Sequence, residues 1–404
     1  MLTPTEQAVL AAVDEPEAVE LLRDLVRARS VSPPEGTEEG AARLVADRLT
    51  AGGIPARLEE VAPGRPNVLA ELGDGPGPTM LWNAHLDTVP AGNLDAWQSD
   101  PFGGELRDGR IWGRGASDCK GGVAAMVAAA LALRRTGRLG RGRLVLCFVM
   151  GEETGHLGAR AALRRGLTAD HAVVGEWSGA SRIAIGYRGG VFMALEARGR
   201  VAHGSRPMRG LNAIDLMTEQ VLPALKATPM AFERHPAFMI QHPTWNVGTI
   251  AGGVATNVVA DHCRATVDLR LVPGQDPEAV VQALRERLAG LAYPGGEPAK
   301  VELAVLSMIG PFVTPVEHPL VASLGGSIRD VLEAAPEHFG KTGVADANVF
   351  AHEGGIPAVA YGPGNPSGHE PNEYCEVAEL IRCTRVLAVL GARLGAAPTA
   401  GARS

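Results

Sequence analysis

Several residue patterns that would indicate common functions are missing from this chain. Its 404 residues include only five cysteines, none of them in a Cys-x-x-Cys pair, which argues against a disulfide framework and against a zinc site held by thiolates. Lys and Arg number 38 against 45 Asp and Glu, a net charge of −7, and no basic run is interleaved with aromatic residues. The sequence therefore predicts no nucleic-acid partner. Because the cysteines do not form a thiolate site, any bound metal would be held through oxygen and nitrogen ligands.

Long hydrophobic runs and familiar catalytic motifs are also missing. The longest apolar stretch, around Val123 to Leu133, is rich in alanine and shorter than the ~20 residues that span a bilayer. Residues 1–18 have no basic start and only a short apolar run, which is not typical of a signal peptide. Neither a G-x-S-x-G nor an H-E-x-x-H motif is present, which disfavours a serine hydrolase or a single-zinc protease. Because neither a membrane-spanning run nor a signal peptide is indicated, we expect a cytoplasmic protein with no membrane partner.

The chain is longer than one hydrophobic core usually serves, and its patterning indicates two domains. Helical periodicity alternates with short apolar runs in most of the chain, which predicts an α/β domain with a mostly parallel sheet between two layers of helices. The predicted helices lie at 17–27, 39–49, 122–134 and 317–332, and the predicted strands at 67–72, 79–82, 143–150, 171–174 and 357–361.

The pattern changes in the middle of the chain. Strand, helix, two strands, helix and strand follow one another at 191–197, 212–226, 244–250, 262–271, 277–289 and 300–305. This is the β-α-β-β-α-β order of a ferredoxin-like α+β domain. We therefore predict a discontinuous catalytic domain at 1–188 and 307–404, interrupted by an inserted domain at 189–306.

Acids and histidines follow the predicted strands directly. The ends of parallel strands meet at one edge of an open sheet, where ligands bind, so these side chains are expected to lie together. Grouped acids repel one another unless a cation neutralises them. Mixed imidazole and carboxylate ligands suit zinc, with cobalt or manganese as possible substitutes. The residues that follow strands are His85, Asp87, Glu152, Glu153, Glu176 and, a few residues further on, His369; Asp118, which lies just ahead of a predicted helix, joins this set.

Each of these residues, taken alone, also has a purely structural interpretation. His85 alone would more often be a hydrogen-bonded core histidine, and Glu152 with Glu153 alone would more often be a solvated turn. Asp118 precedes a helix and is also suited to cap it. Glu176 and His369 are also compatible with an ordinary strand end and a loop. The joint pattern is what favours a metal site.

Five separated motifs resemble those of the zinc-dependent aminoacylase, acetylornithine deacetylase, succinyl-diaminopimelate desuccinylase and carboxypeptidase G group of peptidases. The resemblance covers nearly the whole chain, in the order of that family. The motifs are HLDTVP at 85–90, the block at 97–102 with 113–121, GEETG at 151–155, Gly-Glu at 175–176, and SGH at 367–369 with Asn-Glu at 372–373.

The resemblance implies a centre of two zinc ions per subunit. Asp118 would bridge both ions, His85 and Glu176 would complete one site, and Glu153 and His369 the other. Asp87 would fix the tautomer of His85, as metal-bound imidazoles generally require. Glu152 would be the general base, which takes a proton from the hydrolytic water and gives it to the amine leaving group.

The inserted domain resembles the dimerisation domain, or lid, of the same family. His203 would reach the active site of the partner in a homodimer and stabilise the tetrahedral oxyanion, although a solvent or interface contact is an alternative. Asn257 and Arg270 resemble positions that hold the carboxylate of the substrate. Arg270 has the alternative of pairing with Asp268 or Asp261 on the sheet surface.

The expected activity is hydrolysis of a small N-acyl amino acid, of the acetylornithine deacetylase or succinyl-diaminopimelate desuccinylase type. The alternatives are a dipeptidase or glutamate-releasing carboxypeptidase of the same family, and a metal-binding scaffold without turnover, which would be expected to lack Glu152 or a ligand. Cys119, Ala260 and Trp177 depart from the usual family residues. Of these, Trp177 would lie beside a ligand and bear on specificity.

Overall fold

The fold, taken from a computed structural model, is described for residues 1–293 and 296–395, so residues 396–404 of the predicted catalytic domain lie outside the described part. The chain divides into two compact units. The first comprises residues 1–186, 313–341 and 345–404, and the second comprises 187–312 with 342–344. The inserted domain predicted at 189–306 lies inside the second unit, which begins slightly earlier, ends slightly later and also includes residues 342–344. Tyr187 and Phe312, whose rings stack with centroids 5.9 Å apart, both belong to the second unit.

The helices are numbered along the described residues. They are α1 (Pro4–Ala11), α2 (Glu15–Arg27), α3 (Glu39–Ala51), α4 (Gly121–Thr136), α5 (Leu157–Arg164), α6 (Ala213–Asp215), α7 (Leu222–Lys226), α8 (Pro277–Ala289), α9 (Pro319–Leu332), α10 (Asp346–Asn348) and α11 (Val377–Ala392).

The strands are numbered in the same way. They are β1 (Ala56–Ala62), β2 (Arg65–Leu72), β3 (Thr79–His85), β4 (Glu105–Arg107), β5 (Arg110–Trp112), β6 (Arg143–Val149), β7 (His171–Val174), β8 (Arg182–Tyr187), β9 (Gly189–Arg198), β10 (Thr244–Gly252), β11 (His262–Leu271), β12 (Lys300–Ile309), β13 (Phe312–Val313), β14 (Glu337–Lys341), β15 (Ala358–Ala360) and β16 (Tyr374–Glu376).

The main sheet has the strand order β1-β2-β6-β3-β7-β15-β8-β13, with β14 paired to β8. Its central strands β6, β3, β7 and β15 pair in parallel, whereas β1, β2 and β8 pair antiparallel to their neighbours. The parallel strands are almost wholly buried, as their continuous apolar sequences predict for strands covered on both faces. The predicted α/β fold class is confirmed.

Helix α4 forms the centre of the helical layer and contacts α2 and α11. The segment Ala116–Thr136 is long and apolar enough to cross a membrane, but 94% of its most apolar window is buried inside the protein. Alanine is small enough for neighbouring helices to approach closely on all sides. The burial therefore identifies this segment as a core helix.

The second unit is built on the antiparallel sheet β10-β11-β9-β12. Strand β11 alternates buried and more exposed residues, with Cys263, Val267 and Leu271 among those facing the core, the period-two pattern of a sheet covered on one face. Strand β9, helix α8 and the helical stretch α6 to α7 supply most of the rest of that core. All six elements predicted for the inserted domain are present. The predicted helix at 212–226 is interrupted by a π-type stretch at Leu216–Val221, just before Pro223.

Candidate metal centre

The parallel strands carry the candidate ligands to one edge of the main sheet. His85 is the last residue of β3, Glu152 and Glu153 follow β6, Glu176 follows β7, and His369 lies in the loop after β15. Strand β3 pairs in parallel with both β6 and β7, and β7 pairs in parallel with β15. Adjacent parallel strands end side by side, so the segments that follow them converge.

Asp118 lies between two groups of candidate ligands. Its Oδ1 atom is 3.1 Å from Nε2 of His85, which in turn lies 3.5 Å from Oε1 of Glu176. Its Oδ2 atom is 3.6 Å from Nε2 of His369, which is 2.8 Å from Oε1 of Glu153. The structure therefore brings all five predicted ligands together, in two groups that share Asp118. We call them the five-residue cluster.

The turn that carries Asp118 is held by a buried carboxylate. Glu373 accepts hydrogen bonds from the backbone N–H groups of Gly115, Ser117 and Asp118 at 2.9–3.0 Å. The guanidinium of Arg114 donates to the same carboxylate at 2.7 Å, and both side chains are buried. A carboxylate that accepts three backbone N–H groups fixes the path of the chain around it. Glu373, which the sequence singled out only as part of a motif, thus holds Asp118 in place.

Asp87 holds the two adjacent glutamates by their backbone. Its carboxylate accepts the N–H of Glu152 at 3.0 Å, the N–H of Glu153 at 3.1 Å and the hydroxyl of Ser32 at 2.9 Å. Nδ1 of His85 lies 2.9 Å from the backbone carbonyl of Asp87 and 3.6 Å from its carboxylate. Burial opposes ionisation of Asp87, but its contacts with His85, Ser32 and Glu152 keep its pKa below the usual value. Asp87 is therefore a charged anchor for Glu152 and Glu153.

The buried acids around this edge create a strong demand for positive charge. Burial, together with the charges of Glu153, Asp346 and Glu176, raises the pKa of Glu152 well above its usual value. Burial and the charge of Asp118 raise the pKa of Glu176 to about 7. Such shifts mark sites where carboxylates are crowded in a low-dielectric environment. A divalent cation would relieve this crowding.

The donor atoms fit a metal that takes nitrogen and oxygen ligands. His85, Asp118 and Glu153 each offer a ligand atom within 4.8 Å of the others, and so do His85, Cys119 and Glu176. Only a thiolate is a good metal ligand, and burial raises the pKa of Cys119 to about 12. The Cys119 sulfur instead accepts the backbone N–H of His85 at 3.2 Å. The five-residue cluster is therefore the better donor set.

The structure adds residues that the sequence did not indicate. Nζ of Lys341 lies 3.6 Å from Oε2 of Glu176 and 3.9 Å from the ring centroid of Trp177. Nδ1 of His156 lies 3.1 Å from Oδ1 of Asp346 and 3.5 Å from Oε1 of Glu152. Lys341 and Asp346 come from segments far along the chain from the acids that they meet. No local pattern identifies such partners.

The remaining predicted residues belong to the second unit. His203 is exposed, and its Nδ1 accepts hydrogen bonds from the backbone and hydroxyl of Ser205 at 3.1 and 2.8 Å. Asn257 is also exposed, and its backbone carbonyl accepts the N–H of Gly204 at 2.7 Å, so it lies beside His203. Arg270 donates to the carboxylate of Asp268 at 3.1 Å, which is the surface pair that the sequence left open.

The sequence matches a known family over most of its length. A family model described as peptidase family M20/M25/M40 matches residues 81–392. The chain is 31% identical over 385 residues to succinyl-diaminopimelate desuccinylase of Methylobacterium radiotolerans, which covers 91% of this chain and 94% of that protein. It is 30% identical over 386 residues to acetylornithine deacetylase of Photorhabdus laumondii, with coverages of 93% and 96%.

Solved structures of similar fold include two peptidases. An aminopeptidase from Bacillus cereus has a TM-score of 0.77 at 23% identity, covering 95% of this chain and 99% of that one. A dinuclear metal-binding peptidase from Bacillus subtilis has a TM-score of 0.69 at 16% identity, with coverages of 94% and 98%. At these identities the likeness establishes the fold alone.

Proposed function

Because the chain belongs to peptidase family M20/M25/M40, a family of metal-dependent hydrolases, we propose that it cleaves the amide bond of a small N-acyl amino acid with a free carboxylate. N-succinyl-diaminopimelate and N-acetylornithine are the leading substrates, because relatives at about 30% identity over almost the full chain carry the corresponding names. The observation that carries the proposal is the five-residue cluster, in which Asp118 lies between two groups of metal-compatible side chains.

The proposed cofactor is a pair of zinc ions, for which cobalt or manganese could substitute. His85, Asp118 and Glu176 would hold one ion, and Asp118, Glu153 and His369 the other. Two imidazoles and three carboxylates form the mixed nitrogen and oxygen donor set that zinc accepts. When bound, such ions acidify water and polarise the carbonyl that is attacked.

Glu152 is the proposed general base. Its carboxylate would accept a proton from the attacking water and later donate it to the nitrogen of the departing amine. The backbone of Glu152 is held by the Asp87 carboxylate at 3.0 Å, which restricts where that carboxylate can reach. A general base must be positioned within hydrogen-bond distance of the proton that it takes. Asp87 therefore serves as a positioning residue for Glu152 as well as for His85.

The second unit is proposed to contribute substrate recognition and a homodimer interface. His203 would donate to the developing oxyanion in the partner's active site. Asn257 and Arg270 would bind the carboxylate of the substrate, for which a guanidinium is well suited. Because Arg270 pairs with Asp268, substrate would have to compete with that carboxylate. Sedimentation of the purified protein as a monomer would contradict the dimer.

The proposed location is the cytoplasm. The one segment apolar enough to cross a membrane among the described residues, Ala116–Thr136, is a core helix. This supports a protein without a membrane partner. The composition and net charge of −7 likewise favour a small-molecule substrate over nucleic acid.

A second candidate function is that of a dipeptidase or glutamate-releasing carboxypeptidase. It is kept as an alternative because of Trp177, which follows the candidate ligand Glu176 directly and lies against Lys341. A bulky aromatic and a cation beside the metal-ligand edge would alter the pocket for the acyl group. The two functions share the same hydrolytic mechanism and differ only in the amide bond that is cleaved.

The experiment is a substrate panel, with release of the free amine as the readout. N-succinyl-diaminopimelate, N-acetylornithine and several dipeptides are compared, with and without a metal chelator. Chelator-sensitive release from one acyl amino acid supports the first function, and release from dipeptides alone supports the second. Hydrolysis of none of these substrates by metal-loaded protein would contradict both.

The Glu152→Gln variant tests the general base in the same panel. It keeps the size of the side chain but cannot accept the proton, so turnover should fall by at least about a hundredfold while the metal content stays the same. Asp47→Asn, an equivalent change at an exposed position of α3, is the control and should leave turnover unchanged. Full activity of Glu152→Gln would sink the assignment.

A further inference from the structure

A histidine lies between two carboxylates beside the five-residue cluster. Nδ1 of His156 is 3.1 Å from Oδ1 of Asp346 and 3.5 Å from Oε1 of Glu152. His156 and Asp346 are buried, and the Glu152 side chain is only 10% exposed. Both contacts are made by the same Nδ1 atom, so the ring lies between the two carboxylates with one edge towards both, in the order Asp346, His156, Glu152. The last of these, Glu152, is the proposed general base.

The backbone carries the imidazole into this position. His156 donates its N–H to the carbonyl of Glu152 at 3.1 Å, and Gly155 donates to the same carbonyl, so the turn returns to Glu152 before α5 begins. His156 has the left-handed conformation, with φ of 59°, which is uncommon for a residue other than glycine. Such a conformation persists where surrounding contacts hold it in place. Here the contacts with Asp346 and Glu152 hold the ring.

Asp346 orients the ring. It is 1% exposed at the start of α10, and its Oδ2 atom has no hydrogen-bond partner among the described residues. A buried carboxylate strongly favours a hydrogen-bond donor, and among the described residues the donor beside Asp346 is Nδ1 of His156. The Nδ1–H group therefore donates to Asp346, and the ring cannot turn away without leaving that carboxylate unpaired. The ring edge that faces Glu152 is fixed in the same way.

We propose that His156, oriented by Asp346, is a positioning residue that holds the Glu152 carboxylate in its productive orientation. The proposal rests on the proposed function, in which Glu152 transfers the proton. Asp87 fixes only the backbone of Glu152, and the glutamate side chain has several rotatable bonds beyond it. Oε1 lies 3.5 Å from the same Nδ1–H that donates to Asp346, and this longer electrostatic contact restricts the freedom of the glutamate side chain and leaves Oε2 for the reacting water. Holding a catalytic group in the reactive geometry increases the rate of the chemical step.

The test compares two substitutions that the backbone tolerates. Glycine and asparagine both adopt the left-handed conformation readily, so neither His156→Gly nor His156→Asn should strain the turn. His156→Gly removes the side chain, whereas the amide N–H of His156→Asn can replace Nδ1–H. We expect His156→Gly to lower kcat at least about tenfold with KM within about twofold, and His156→Asn to recover most of that loss. Metal content should match wild type in both.

Asp108→Gly is the matched control. Asp108 also has a left-handed backbone, with φ of 53°, and its side chain is 86% exposed in the turn between β4 and β5. The Asp108→Gly substitution should leave kcat unchanged. Equal losses in His156→Gly and His156→Asn, loss of metal together with activity, or an unchanged kcat in His156→Gly would each overturn the proposal.

A structural measurement separates this proposal from the proposed function. Crystal structures of the metal-loaded wild type and His156→Gly report the order of the Glu152 side chain, whatever the substrate is. One Glu152 conformer in the wild type and several in the variant support the positioning role, even if the substrate panel fails. A single unchanged conformer in both proteins would overturn it, even if the panel succeeds.

Discussion

At the scale of single residues, Lys341 is a buried cation beside the carboxylates of the five-residue cluster. Its ammonium lies 3.6 Å from Oε2 of Glu176 and rests on the ring of Trp177. It is 8% exposed. Because it is so close to a proposed ligand, its charge both offsets the crowded carboxylates and repels a divalent ion that approaches Glu176. Lys341 would thus compete with a metal bound at the proposed site for the same carboxylate.

Replacement of Lys341 by methionine should tighten metal binding. The variant keeps an unbranched apolar chain against Trp177 and removes the like charge, so we expect the metal dissociation constant to fall about tenfold. Competition with a chromogenic chelator measures it. Lys226→Met, at an exposed position at the end of α7, should have no effect. Weaker binding in Lys341→Met would show that the ammonium supports the site instead.

At the scale of secondary-structure elements, the first turn of α4 packs directly on the backbone that follows β7. A side chain at Gly122 would overlap the carbonyl oxygen of Gly175, the residue before Glu176. This contact is between main-chain segments, so no rotamer change can relieve it. The position of Glu176 therefore depends on the absence of a side chain at Gly122.

Gly122→Ala should destabilise the protein and disturb metal binding, because α4 and the Glu176 turn must move apart. We expect the free energy of unfolding to fall by about 1–3 kcal/mol, as measured by urea denaturation. Gly40→Ala is the control, since an added Cβ meets no neighbouring atom at this exposed position in α3. There alanine should raise stability by about 0.5–1 kcal/mol. Equal effects of the two substitutions would contradict the packing argument.

An ion network joins three helices of the first unit. Arg393, just after α11, donates to Glu6 of α1 at 2.7 Å and to Asp330 of α9 at 2.6 Å. Burial alone would raise the pKa of both carboxyls, but Arg393, and for Asp330 also the N-terminal ammonium, holds them below the usual values. Carboxyls with a lowered pKa in the folded state stabilise it above their unfolded pKa. That stabilisation is lost as the pH falls through the folded pKa.

Arg393→Ala should therefore destabilise the protein at neutral pH more than in acid. We expect a loss of about 1–3 kcal/mol in the free energy of unfolding at pH 7, and a smaller difference from wild type as the pH drops below about 4. Denaturant unfolding over this pH range measures both. Arg43→Ala, which removes an exposed pair with Glu39 on α3, should cost less than about 1 kcal/mol. A loss at Arg393 that is constant with pH would contradict the network.

Elements with strong local patterns could be predicted from the sequence. The parallel strands β3, β6, β7 and β15 are continuous apolar runs, and the candidate ligands that follow them are marked by Gly-rich motifs. The edge strand β1 and the inner strand β8 are not predicted from the sequence, because β1 is partly exposed and lacks a continuous apolar run. Strand β8 is buried but short, and it ends among glycines, so its apolar run is not distinct. Tertiary partners could not be predicted. His156 meets Asp346 across 190 positions, and no periodicity encodes such a contact.

At the scale of the whole molecule, the chain combines an α/β unit that holds the five-residue cluster with an antiparallel unit that carries His203, Asn257 and Arg270. A two-metal centre built on the five-residue cluster requires that the first unit alone contains every metal ligand. It also requires that Asp118 belongs to both metal sites, since its two oxygens contact different histidines. These are statements about metal stoichiometry, which can be measured directly.

The most direct test is the metal content per chain, by elemental analysis or native mass spectrometry, of the wild type and of Asp118→Asn and His369→Ala. We expect about two ions in the wild type, retention of one in His369→Ala, and loss of both in Asp118→Asn, with each variant still folded. A wild type that holds no metal, or an Asp118→Asn variant that keeps the full complement, would show that this cluster is not a shared two-metal centre.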